Sequence, residues 1–182
     1  MDEYTQKVYN LLQDIFKNVW EQQKYSEIKN SILLTFNIAF FAIILRVSVS
    51  IADTINSLIV YKVLLLFLML LLTIHIVLII QSFFPQDSNK EDSKDEEDEI
   101  NIFFFGDIKK LESDKYLDLV IKKVAIKEEI NKIPLKDLTN QIVILSEIVQ
   151  AKYISFKKSV NRMYYIGTFF IVYFTFIFLK TN

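Results

Sequence analysis

The sequence predicts an all-α membrane protein with three transmembrane helices, the N-terminus inside and the C-terminus outside. A cytoplasmic helical bundle continuous with the first and third spans completes it. Three observations lead there. Two glycines and two prolines in 182 residues leave too few turn-formers for repeated β-hairpins and favour long helices. An apolar share of 52 % beside a charged share of 24 % requires the two classes to be segregated along the chain. Three apolar runs then supply the segregation, each near the length that crosses a hydrocarbon core of about 30 Å.

Residues 1–30 form the first element. Tyr4, Val8, Leu11, Ile15 and Val19 recur at helical spacing, widened by Leu12, Phe16 and Trp20, which predicts an amphipathic helix. Its polar face mixes Asp14, Lys17, Glu21, Lys24 and Glu27. A helix lying on a membrane surface is usually strongly basic on that face, so packing against other cytoplasmic helices is expected. The start lacks a short basic segment followed by an apolar one, so no cleaved signal peptide is expected.

A transmembrane hairpin is expected over 31–83. Ile32 to Val49 is an apolar run broken only by Asn37 and Arg46 as strongly polar residues, and Val63 to Ile80 contains only Thr73 and His75. Each of these eighteen-residue runs gives about 27 Å of helix. The third span, 163–182, carries no charge from Met163 to Leu179, starts beside two tyrosines and ends at Lys180. Lys24 and Lys29 precede the first span and Lys152, Lys157, Lys158 and Arg162 precede the third, whereas the hairpin offers only Lys62 besides Arg46. The positive-inside rule places the N-terminus and residues 81–162 in the cytoplasm.

Asn37 and His75 each lie five residues from the cytoplasmic end of their spans, at one depth in an antiparallel hairpin. They read either as a structural clasp, hydrogen-bonded to each other, or as pore or gate residues. Arg46, toward the outer end, reads as a snorkelled interfacial charge.

An acidic linker is expected over 84–100. From Gln86 to Glu99 eight acids face two lysines, while Lys109 to Arg162 holds twelve Lys/Arg and seven Asp/Glu. The tract reads as a solvated spacer, or as a mobile acidic tether that screens the basic helices beside it. The segment 101–162 then opens on NIFFFGDI. Phe103, Phe104 and Phe105 are expected to plug into the bundle or the membrane boundary, with Gly106 supplying a turn few residues tolerate and Asp107 capping the adjoining segment. A sharper reading makes the plug a ligand-responsive latch. Ser113 and Asp114 suit a helix start, through about Lys132, and Pro134 suits the first turn of the next helix. From Leu135 the helical spacing has no breaker until Gly167, so one helix of roughly 65 Å is expected to run through Leu179. Its apolar surface also suits self-association.

No phosphate-binding loop, dinucleotide fingerprint or zinc-protease motif is present, cysteine is absent, and the one histidine falls in a span. No catalytic residue, metal site, cofactor or nucleic-acid partner is expected, and an enzyme is not predicted.

A mixed-charge N-terminal helix, Lys29 at the mouth of a transmembrane hairpin, an acidic linker, NIFFFGDI, a helix with Tyr116, and Gln141-Ile142 through Lys152-Tyr153 before a final span succeed one another. In this order the chain resembles the Pycsar effector family of bacterial transmembrane proteins. The resemblance implies antiphage defence at the bacterial inner membrane. A companion cyclase makes a cyclic pyrimidine mononucleotide, cyclic UMP or cyclic CMP, and the effector, expected to be a homo-oligomer, then disrupts the bilayer. The chain departs from that picture in having no separate nucleotide-binding domain. The helices themselves would have to bind the ligand, through cations such as Lys109, Lys110, Lys152, Lys157 or Arg162. A constitutive membrane scaffold, or a small toxin or channel regulated by a protein partner, are the alternatives without a nucleotide.

Overall fold

The computed structural model describes residues 2–50, 59–84, 100–124 and 130–181. The acidic tract, residues 125–129 and the side chain of Lys180 lie outside the described residues. Those described form helices α1 (Glu3–Ser50), α2 (Ile59–Gln81), α3 (Phe105–Ile108), α4 (Ser113–Lys123) and α5 (Ile133–Thr181), and no strand occurs among them. Three of these, α1, α2 and α5, are long and apolar enough to cross a membrane.

α1 can run for 48 residues because nothing in it is Gly or Pro. It begins at a side-chain cap: the Asp2 carboxylate accepts from the Thr5 amide and hydroxyl, both at 2.6 Å, satisfying a backbone donor that the helix leaves unpaired. α5 starts similarly, with Asn131 Oδ1 accepting from the Ile133 amide at 3.1 Å. Pro134 comes next in the first turn, where its missing N–H costs nothing. The helix then continues for 49 residues, as the unbroken spacing from Leu135 requires.

The chain divides into two compact units, Met1–Glu27 with Pro85–Tyr153, and Ile28–Phe84 with Ile154–Asn182. In the first, α1 buries Thr5, Val8, Leu12, Ile15 and Val19, and α5 buries Leu135, Thr139, Ile142, Ser146 and Val149. Both sets alternate steps of three and four, the spacing of knobs-into-holes packing. Ile100, Ile102, Ile108, Tyr116, Leu117 and Val120 close the core.

In the second unit the same spacing places Asn30, Leu33, Asn37 and Ile44 of α1 inside. Leu68, Leu72, His75 and Ile79 of α2 and Ile166, Phe170, Tyr173 and Ile177 of α5 are buried with them. Phe40 meets Phe170 edge-on at 5.6 Å, and the Tyr173 hydroxyl donates to Tyr61 O at 3.2 Å. The opposite faces expose Leu66, Phe67, Leu70, Phe169 and Phe176, an outward apolar surface that suits lipid.

Two expectations need correction. The helix from Ser113 ends at Lys123 instead of about Lys132. Lys132 is instead committed to the next helix, where its carbonyl accepts from Leu135 and Lys136 amides. The N-cap of α4 is Glu112, without a side-chain cap, and Ser113 is the first helical residue.

Candidate functional site

The signature segment closes on itself as a knot. Asn101 is the pivot: its Oδ1 accepts from the Phe103 amide at 2.9 Å, its carbonyl accepts from the Phe104 amide at 3.1 Å, and its own amide donates to Asp107 Oδ2 at 3.2 Å. Asn is suited to this because its short amide mimics a backbone turn. Asp107 also pairs with Lys110 at 3.3 Å, so it closes the knot instead of capping the next helix. α3 is capped by Phe104 in extended conformation, with no side-chain bond.

The plug differs from the expected one. Phe103 and Phe104 are 46 % and 47 % exposed, and of the three rings only Phe105 packs on the core. It stacks obliquely on Tyr153 at 5.3 Å and on Phe104 at 4.9 Å. The side chains that anchor the segment are Ile100, Ile102 and Ile108, all at most 6 % exposed. Gly106 is buried inside α3, and a Cβ there would lie 2.5 Å from the Phe104 ring. Its role is to let that ring approach.

Three contacts tie the knot to the helices of its unit. The Tyr116 hydroxyl, fully buried, donates to Ile102 O at 2.9 Å; burial pushes its acidity well below that of a free phenol, raising the pKa. Lys123 Nζ donates to Ile100 O at 2.5 Å, and Asn18 Nδ2 to Phe103 O at 3.4 Å. Nearby, Tyr153 donates to Gln22 Oε1 at 3.2 Å, and the buried Lys152 meets Glu27 at 2.5 Å. That lysine, as a hydrogen-bond donor, holds the Glu27 carboxyl below the usual carboxylate range.

The five candidate cations sit on different elements. Lys109 and Lys110 follow α3, and Lys152 is engaged with Glu27 on a different helix. Lys157 and Arg162 belong to the other unit. Lys157 is exposed, and Arg162 donates to Lys158 O at 3.3 Å and Ser159 Oγ at 3.0 Å. Sequence reasoning missed Asn18, Gln22, Glu27 and Lys123. Their partners lie 23 to 131 residues away along the chain, and no local pattern in the sequence links them.

The second unit holds a polar layer. Asn37 and His75 are both buried, yet the expected clasp is not made. Asn37 Nδ2 donates to Leu33 O, four residues back, at 2.7 Å, a local acceptor that outcompetes one on another helix; Met163 Sδ lies 3.9 Å away. Asn37 Oδ1, Asn30 Nδ2 and both ring nitrogens of His75 are left buried without a partner among the described residues. Arg46 is exposed on α1.

None of the curated proteins and none of the solved structures matches the chain. The family model described as Pycsar effector protein domain matches residues 11–180, a stretch that includes the knot, the polar layer and all three candidate spans. The chain is thus a membrane protein that belongs to the Pycsar effector family, a membership that supports an antiphage effector role linked to a cyclic-nucleotide signal.

Proposed function

We propose that the chain is a sensor and actuator in one piece. A cyclic pyrimidine mononucleotide, cyclic UMP or cyclic CMP, binds the unit that carries the knot. α5 passes the change to the third span, and copies of the chain then associate and breach the bacterial inner membrane. The observation that carries this reading is the continuity of α5. One unbroken helix contributes Leu135 to Val149 to one core and Ile166 to Ile177 to the other. A continuous helix offers a route by which a change at the knot can reach the third span.

The polar layer supplies a reason for the closed spans to open. Each buried polar atom without a partner costs about 1–3 kcal/mol in protein interiors. An arrangement that admits water to Asn30, Asn37 and His75 recovers part of that cost. A ligand that binds the open state a hundredfold better adds about 2.7 kcal/mol per copy. In this reading the knot is the latch, with Lys109 and Lys110 beside it as the cations for a phosphate. The N-terminus and residues 81–162 face the cytoplasm, and the C-terminus lies outside.

Co-expression with a pyrimidine cyclase and phage infection tests the reading. The full chain is expected to depolarise infected cells, and truncation before Met163 to abolish depolarisation. Depolarisation by the truncated chain, or a reporter at residue 182 that reads as cytoplasmic, contradicts it.

A further inference from the structure

The spanning unit carries a groove that neither the knot nor the polar layer uses. Between α1 and α5 a cavity of about 720 Å³ is walled by Phe36, Phe40, Met163, Phe170 and Phe174, with Gly167 beneath. A second cavity of about 230 Å³ shares Phe36 and Met163 with it and reaches Lys29, so the two adjoin along the helix pair. Nothing lies within 4 Å of where a Cβ on Gly167 would be, so the absence of a side chain there keeps the floor open. The lining is apolar except for Thr175, whose hydroxyl donates to Ile171 O at 2.8 Å, and for the Lys29 end, where the ammonium sits 5.8 Å from the centre of the Phe156 ring.

The geometry points to a binding site for a single membrane phospholipid with an anionic headgroup, its phosphate at Lys29 and one acyl chain along Phe36, Met163 and Phe170. Three features select this occupant. The larger cavity, from Met163 to Thr175 at the far end, is about 18 Å long, about one leaflet of a hydrocarbon core of roughly 30 Å, and the Lys29 cavity adjoins it on the headgroup side. The groove has a cation at one end only, which matches a molecule with one charged end. Tyr164 and Tyr165, next to Met163, are 72 % and 70 % exposed, and exposed tyrosines sit at the headgroup level of membranes, so Lys29 lies on the headgroup side. The inference rests on the chain crossing a bilayer and not on any nucleotide trigger.

The test uses the full chain in vesicles containing phosphatidylglycerol or phosphatidylcholine with a photoreactive group in the acyl chain, mapped by peptide mass spectrometry without nucleotide. Labelling of the Phe36 and Met163–Phe174 peptides is expected to exceed that of the outward Leu66–Phe67 peptide, and to be stronger from phosphatidylglycerol. Gly167→Leu should lower groove labelling at least fivefold and leave the Leu66–Phe67 peptide unchanged, which also shows that the variant is inserted and folded. Gly167→Ala, which adds one methyl to open space, should fall between. Lys29→Gln should reduce the preference for phosphatidylglycerol about fivefold, equivalent to about 1 kcal/mol for one surface cation. Groove labelling equal to that of the outward face overturns the proposal, as does labelling without headgroup preference. Disulfide-linked dimers of Gly167→Cys, in a chain that has no other cysteine, that persist as phosphatidylglycerol is added also overturn it by placing a second copy in the groove.

Discussion

The two units use the same helix spacing for opposite ends. In the unit with the knot, buried polar groups are matched: Tyr116 with Ile102, Lys152 with Glu27, Thr139 with Leu135 and Ser146 with Ile142. Gln23 Oε1 is the one buried side-chain acceptor there without a partner among the described residues. In the spanning unit four atoms on Asn30, Asn37 and His75 have none, and for Asn37 and His75, inside the apolar runs, hydrocarbon offers no water to replace one. Burial alone therefore does not mark a stable core. One unit pairs nearly all of its buried polar groups, and the other holds buried polar atoms that have no partner among the described residues.

Substitutions at corresponding buried polar positions should therefore have opposite signs. The largest effect is expected at Tyr116. Tyr116→Ala removes a fully buried ring and should cost about 3–5 kcal/mol in denaturant unfolding, while Tyr116→Phe, which leaves the Ile102 carbonyl unpaired, should cost about 1–3 kcal/mol. His75→Phe should instead stabilise the spanning unit, by about 1–2 kcal/mol, and reduce membrane damage at a given expression level. Destabilisation by His75→Phe would break the comparison.

A smaller effect separates the three phenylalanines. Phe105→Ala should destabilise by about 1–2 kcal/mol, and Phe103→Ala and Phe104→Ala by less than about 0.5 kcal/mol, measured by denaturant midpoint. The smallest effect is on alkaline stability. The Tyr116 pKa is raised in the folded chain, so the folded state prefers the neutral phenol. That stability is complete below the ordinary value of about 10 and is lost as pH rises through the interval above it. Tyr116→Phe should flatten the loss of helicity above about pH 10, followed by circular dichroism.

The long elements could be read in the sequence because their signals are local. An apolar run of eighteen residues, or a three-four spacing without Gly or Pro, needs no partner to be recognised, and the spans and the continuity of α5 come from it. The family was legible for a related reason, since NIFFFGDI and the order of segments around it are local features. The knot was legible as a motif but not as a structure. Three identical rings in a row carry no periodicity, so nothing distinguished Phe105 from its exposed neighbours, and the anchoring role of Ile100, Ile102 and Ile108 depends on a fold-back set by Asn101. Contacts between helices were the least legible. The Lys152–Glu27 pair joins residues 125 apart, and the Asn37–His75 clasp, inferred from depth alone, lost to an acceptor four residues away.

The proposed trigger is a cyclic pyrimidine mononucleotide that drives the chain from a closed to a membrane-breaching state. Dye release from vesicles reconstituted with the purified full chain measures it most directly, during titration with cyclic UMP, cyclic CMP and cyclic AMP as a purine control. Saturable release is expected with one of the two pyrimidine nucleotides, little with cyclic AMP, and none with the chain truncated before Met163. Release that is equal with and without every nucleotide, or that survives the truncation, would contradict it.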